Sequence, residues 1–522
     1  MTSQLGHFSL IFCIFFSIFI IFQSINFFFS KKIIFKNSLL SLIFLQLFFV
    51  IVSFLSLLTA FLYSDFSNVT VYNNSHTSKP LFYKISGVWG NHEGSLLLWL
   101  LVLTLFLFIF VLSSKKVENK YKLLTIVFQE IIIFGFLIFI VFTSNPFEYL
   151  YPTPNEGLGL NPILQDPALA IHPPILYLGY VGSSLIFSSS LSAIINNGVN
   201  PEWAKHIKSW VFTSWIFLTL GIMVGSIWAY YELGWGGFWF WDPVENVSLM
   251  PWFCLTALLH SIVVLEKRNF LKKWTIILSI ATFALSMSGT FLVRSGILNS
   301  IHTFANDPSR GLFILIFLFL LIIMAVTILF LNYKSEETRP NNFILLSKET
   351  AVLINNWFMM FFLSVVLIGT VYPIFLEVLT NEKISVGAPF YQKLMVPFLI
   401  PFLMGSLIFF SAIVAPNTFI NLDEKNARKF IRTLFPKIYT YAAIISLLIA
   451  VLLLFDKVFY SFIFLIISLG YFYSKFFLMK KINNASDLKD ERKFKLLHRF
   501  SVIIFVLQLL IMGFVYYLLI YQ

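Results

Sequence analysis

Apolar stretches of roughly 20 residues, long enough to cross a bilayer as helices, recur along the whole chain, with short polar interruptions between them. Fourteen can be read, at residues 5–29, 39–63, 94–112, 123–143, 173–194, 209–229, 249–265, 275–292, 312–331, 351–375, 394–414, 438–454, 458–474 and 496–521. The pattern predicts an all-α, polytopic integral membrane protein of about fourteen transmembrane helices, forming one membrane domain over 1–522. The first apolar run lacks a basic leading region, so it is expected to be a span and not a cleavable signal. Between the runs, 65–84 is expected to be a polar outer loop and 482–495 a charged inner linker.

Composition agrees, with 59% apolar and 11% charged residues, where ordinary globular chains carry about 25% charge. The net charge of +12 needs no nucleic-acid partner, because it is distributed by side. Lys31, Lys32, Lys36, Lys115, Lys116, Lys120, Lys122, Lys267, Arg268, Lys272 and Lys273 fall in alternate loops, as do the basic runs Lys425–Lys437 and Lys475–Lys495. The intervening loops 144–172 and 230–248 contain no Lys or Arg. The positive-inside rule puts the basic loops in the cytoplasm. Both termini are then expected on the outer side, periplasmic or the organellar equivalent. The two cysteines, Cys13 and Cys254, lie inside spans and form no CxxC pair, so thiol–disulfide chemistry by the chain itself is not expected.

The chemistry concentrates in the outer loop 230–252. Trp235, Phe238, Trp239, Phe240 and Trp241 stand within seven positions, with Gly236 and Gly237 among them and Asp242 and Glu245 just beyond. Interfacial aromatic belts place one or two rings at a helix end; this density suits a flat shelf for a large planar ligand. Asp242 and Glu245 read first as caps of the next helix, with Pro243 in its first turn. The neighbouring outer loops, 144–172 and 293–311, supply His172 and His302 on either side in chain order. Two imidazoles over an aromatic shelf is what bis-axial ligation of a haem iron requires; either histidine alone could be a polar surface residue. His260, buried in the seventh span, and His498, at the start of the fourteenth, are expected at matched depth in the cytoplasmic half. Intramembrane ionisable residues are costly and commonly functional. These two could bracket a second metal or haem, or His260 could hydrogen-bond a neighbouring helix while His498 sits at the interface. Arg294 and Arg310, isolated cations of the His302 loop, are interfacial anchors or contacts for haem propionates. Trp89 to Ser95 opens the third span, with Asn91 as its expected cap.

The run Trp235 to Ser248, ending Met250-Pro251-Trp252, resembles the tryptophan-rich WWD signature of haem-handling proteins. Gly6-His7-Phe8, Trp89 to Ser95, Gln165 to Pro174 and Ser295 to Asp307 narrow the resemblance to the CcmF family of cytochrome c-type biogenesis proteins, the haem lyase subunit of a multi-protein system. The resemblance implies that haem arrives from a periplasmic haem chaperone. It is then held at the shelf between His172 and His302 while thioether bonds form to apocytochrome c, presented with a thiol-handling chaperone subunit. His260 and His498 match the ligands of a permanent haem b, with quinol as a possible electron source. The setting it implies is the bacterial inner membrane or its mitochondrial counterpart. An exporter of the WWD family, or a paralogue dedicated to an unusual attachment motif, would share these residues. Two departures stand out. Phe238 replaces a usual Trp. The family also normally continues past this point with an outer-side domain and a further span, so a separate polypeptide is expected to supply that part unless this lineage lacks it.

Overall fold

The hydrophobic effect decides which segments enter the membrane, but backbone hydrogen bonding decides where each helix stops. The computed structural model describes the chain except residues 31–36, 115–117, 233–237, 295–307, 333–347, 381–387, 455–456, 489 and 522. The side chains of 37, 163, 294, 308–309, 348–350, 374–380, 388–398, 424–425 and 520–521 are also outside the described set. Among the described residues, fourteen helices are long and apolar enough to cross a membrane. Each predicted stretch falls on a helix to within a residue, yet most helices begin earlier, in polar sequence. In hydrocarbon every N–H and C=O must be paired within the segment, and nothing obliges the helix to end where the hydrocarbon does.

Packing divides the chain into two units, Met1–Ser385 and Val386–Gln522, where hydropathy alone reads one continuous domain. The first holds α1 (Thr2–Phe29), α2 (Asn37–Leu62), the short α3 (Val69–Asn74) and α4 (Leu81–Gly87), α5 (His92–Ser113) and α6 (Asn119–Phe142). It continues with α7 (Pro167–Ile195), α8 (Pro201–Glu232), α9 (Pro243–Arg268), α10 (Lys272–Arg294), α11 (Pro308–Asn332) and α12 (Lys348–Thr380).

Helix α7 is the centre of this unit, with 89% of its apolar window buried and packing against α5, α6, α8, α10 and α11. Its buried face is rich in serine. Small hydroxyl residues let membrane helices approach and bond across the interface. Gln129 of α6 donates to Ser184 Oγ at 3.0 Å and accepts from Ser188 Oγ at 3.0 Å. Ser192 Oγ donates to the Tyr121 carbonyl at 2.6 Å. Between α8 and α9, Trp215 donates to Thr256 and Trp252 donates back to Thr219, both at 2.9 Å. A buried carboxyl, Glu130 of α6, joins three helices: its Oε2 accepts from Ser17 of α1 at 2.7 Å and Gln46 of α2 at 3.0 Å.

The second unit comprises α13 (Ala388–Phe409), α14 (Ala415–Asn421), α15 (Glu424–Leu453), α16 (Val458–Tyr473), α17 (Met479–Asp487) and α18 (Glu491–Tyr521). Single π-turns at Phe410–Val414 and Ser474–Leu478 link α13 to α14 and α16 to α17. The same polar adhesion operates here: Ser461 and Ser468 of α16 donate to the Ala450 and Ala443 carbonyls, and Gln508 of α18 donates to the Ile467 carbonyl.

Candidate functional site

The start of α7 is set by its own side chains. Asp166 accepts from Leu169 N at 3.0 Å as the N-cap, and Pro167 follows at the first helical position. Both residues favour a helix start. His172 therefore stands in the second turn of a helix and does not end a loop, as the sequence suggested. Two prolines inside the helix, Pro173 and Pro174, hid this. Proline cannot donate to the carbonyl four residues back, so Pro174 leaves the Ala170 carbonyl without its helical donor. The indole Nε1 of Trp89 fills that place at 2.9 Å. The aromatic residue that precedes α5 thus pins the turn carrying His172.

The imidazole is fixed from its other side. His172 Nδ1 lies 2.7 Å from the Gly221 carbonyl of α8. Only Nδ1–H can bond a carbonyl, so Nε2 is the nitrogen with the lone pair. A backbone carbonyl holding one ring N–H is the usual support for a metal-binding histidine. Glycine makes room for it: a Cβ at Gly225 would sit 2.6 Å from His172 Cε1 and 2.9 Å from Nδ1. One turn away, a Cβ at Gly221 would meet Leu176 Cα at 2.7 Å. The glycines bring α7 and α8 into close contact and seat the ring.

His172 lines a cavity of about 720 Å3, within the ordinary range of roughly 300–1,000 Å3 for ligand sites. It lies where α5, α7, α9 and α11 begin and α10 ends. Trp89, Trp99, Tyr177 and Tyr180 give it aromatic walls, and Val244, Val247 and Ser248 of α9 close another side. Glu93 and Arg310, also in the lining, form an ion pair at 2.6 Å between α5 and α11. Arg310, expected as an anchor or an anion contact, has a carboxylate partner within the protein. Among the described residues no three His, Cys, Asp or Glu side chains converge as a metal-ion cluster.

Two segments roof this end of the unit, 63–91 and 144–166. Backbone bonds join them: Val69 N to Glu148 O at 3.0 Å, Leu150 N to Ser67 O at 2.8 Å and Leu158 N to Tyr72 O at 2.8 Å. Glu156 clasps Thr77, accepting from its hydroxyl at 2.5 Å and its amide at 2.9 Å. The Thr77 hydroxyl bond is the main reason the Glu156 carboxyl is held below the usual glutamate range. Burial, reinforced by Lys84, pushes Lys79 in the same roof down to about 8.

The aromatic loop departs from the expected flat shelf. Trp239 and Trp241 meet edge to face, 6.2 Å apart at 85°, while Phe238 stacks on Tyr230 of α8 at 4.4 Å. Edge-to-face geometry suits ring quadrupoles, and Trp241 has a positive φ of 61° that turns its ring out of line with its neighbours. Its carbonyl accepts from Asn246 Nδ2 at 3.0 Å. Asp242 and Glu245 form the expected capping box at α9: Asp242 accepts from Val244 N, and Glu245 from Asp242 N. That gives Asp242 a structural task. Among the described residues the buried Nε1 of Trp239 has no hydrogen-bond partner, and an indole nitrogen is donor only.

His260 is exposed on the flank of α9 and not buried, the reverse of the sequence reading. Its Nδ1 lies 3.0 Å from the Thr256 carbonyl and 3.1 Å from Asn355 Nδ2 of α12. His498 is also exposed, on α18 in the second unit, stacked on Phe494 at 5.8 Å. Trp235, His302 and the side chain of Arg294 lie outside the described residues. Sequence reasoning missed Gly221 and Gly225, whose four-residue spacing marks one helix face, and the role of Glu93, which no local pattern reveals.

Fold and site together define a polytopic helical membrane protein with an imidazole-bearing, aromatic-walled cavity at one end of its first unit. The family model described as cytochrome C assembly protein matches residues 89–302, and one described only as a domain of unknown function matches 398–491. Cytochrome c-type biogenesis protein ccl1 of Rhodobacter capsulatus is 50% identical over 349 residues, 67% of this chain and 53% of its own length. Cytochrome c-type biogenesis protein CcmF of Escherichia coli is 44% identical over 361 residues, 68% of this chain and 56% of its own. The chain thus spans about half the length of the curated relatives it matches. The solved structure of Cytochrome c Heme Lyase CcmF superposes with a TM-score of 0.63 at 23% identity, over 91% of this chain and 77% of that one, which shows a shared fold. The chain belongs to the CcmF family of cytochrome c-type biogenesis proteins.

Proposed function

We propose that this protein holds haem for covalent attachment to apocytochrome c, with His172 and His302 as its axial ligands. The observation that carries the reading is the His172 imidazole, its Nδ1 proton held by the Gly221 carbonyl, at the wall of the 720 Å3 cavity. Attachment adds a cysteine thiol across a haem vinyl: a carbon–sulfur bond forms, and the proton goes to the other vinyl carbon. No electrons are gained or lost in the addition itself, so at that step, once the iron is reduced, the chain need supply only position and orientation, which proximity makes effective. Trp89, Trp99 and Tyr177 offer faces to the macrocycle; Trp235, Phe238, Trp239 and Trp241 edge it from the aromatic loop. Trp239 Nε1 offers a donor to a ligand acceptor, as do Arg310 and Arg294, the last residue of α10.

His260 and His498 would be the ligands of a resident haem b, which would supply electrons to the substrate iron, with quinol as donor. The partners are a haem chaperone, apocytochrome c and its thiol-handling subunit. The membrane is the bacterial inner membrane, with the cavity and both termini on the periplasmic side. Binding of haem to the purified protein tests the central assignment: His172→Ala should lose the low-spin spectrum of added haem. An unchanged spectrum would remove His172 from the site.

A further inference from the structure

The cavity contains a charge pair that the binding of haem by itself does not explain. Among the described residues of its lining, Glu93 is the one carboxylate and Arg310 the one guanidinium. Their contact is 2.6 Å, and the side chains are only 19% and 24% exposed. Glu93 stands in the first turn of α5, where the helix N-terminus favours a negative charge. The Asn91 cap, donating to the Gly87 carbonyl at 2.7 Å and accepting from Gly94 N at 2.7 Å, fixes that turn. Arg310 comes from the first turn of α11, where a helix N-terminus disfavours a cation. The position is thus poor for an arginine unless an anion compensates it.

We propose that Glu93 is the resident counter-ion of Arg310, and that a carboxylate of the bound tetrapyrrole competes with it for the guanidinium. This deepens the proposed haem site and rests on it. Arginine presents five donors in a planar fork, so one carboxylate can be exchanged for another, or two can share, without moving the helix. Without the ligand the pair keeps the cavity neutral, and an isolated buried charge is avoided. With the ligand present, Glu93 opposes the incoming negative charge and keeps the hold on it weak. A protein that must pass its ligand to a client needs such a hold. Glu93 is therefore a positioning residue that sets how firmly a carboxylate-bearing tetrapyrrole is retained, and Arg310 selects for the carboxylate.

The test uses the purified full chain in detergent, titrated with haem and with haem dimethyl ester, which lacks the carboxylates. Glu93→Gln should tighten haem about tenfold, and Arg310→Gln should weaken it about tenfold, as expected for one charge-assisted contact. Neither change should move the affinity for the ester. Arg310→Lys should fall between wild type and Arg310→Gln. If Glu93→Gln does not fold, by its unfolding midpoint without ligand, the two Arg310 variants against the two ligands decide alone. Equal shifts for haem and ester, or no shift for either, would overturn the proposal. His172→Ala separates the two levels: if it binds both ligands as wild type does, the site assignment itself fails.

Discussion

At the scale of single residues, the imidazole of His172 is prepared by contacts within the protein. Trp89 occupies the carbonyl released by Pro174, Gly221 accepts the Nδ1 proton, and Gly225 leaves the space. Gly225→Ala should therefore push the ring off the Gly221 carbonyl. Loss of such a supporting contact typically costs roughly 10–100-fold in metal affinity, measured here as haem affinity, with helix content unchanged in circular dichroism. Wild-type affinity would show that the ring is not seated by this glycine. The roof gives a pH prediction. Glu156 is held below its ordinary range, so its clasp on Thr77 contributes fully above that range and is lost as pH falls through the lowered value. Exchange of the Thr77 amide should speed up at acid pH in wild type, relative to neighbouring roof amides. In Glu156→Gln that pH-dependent step should disappear.

At the scale of helices, the fold was largely legible because hydrocarbon leaves the backbone one solution. Long apolar runs could become only helices, and they did. Helix ends were less legible. Pro173 and Pro174 read as a break, yet α7 runs through them because Trp89, just before α5, repairs one of the lost bonds. Contacts across long separations left no trace in the sequence: Glu93 and Arg310 are 217 residues apart. The helix that carries His260 could be read, but not that the imidazole lies exposed on its flank. Glu130 is a further example, since neither Ser17 nor Gln46 announces it. Removing the carboxyl should strand both donors at the junction of α1, α2 and α6. Glu130→Ala should cost about 2 kcal/mol or more, because buried donors lose their acceptor, whereas Glu130→Gln keeps an acceptor and most of the stability. Thermal unfolding of the two variants in detergent checks this, and equal midpoints would show that Glu130 does not join these helices.

At the scale of the whole molecule, the account asks that charge, topology and site agree. The cavity lies at the end where α9 begins, away from Lys267 and Arg268, which close α9 at its other end. Both native cysteines are buried, so an introduced thiol can be labelled with little background. A thiol from Glu118→Cys, at the start of α6, should react with a membrane-impermeant reagent only after the membrane is opened. Labelling in intact cells would invert the topology and put the cavity on the cytoplasmic side. The central claim is that His172 and His302 hold haem for transfer to a client while a separate pair holds the resident haem. Maturation of a reporter cytochrome c in cells that depend on this protein, with haem spectra recorded on the same His172→Ala and His302→Ala variants, tests it most directly. The account predicts that each variant abolishes the mature cytochrome and leaves the resident haem spectrum in place. Wild-type maturation in both variants would contradict it.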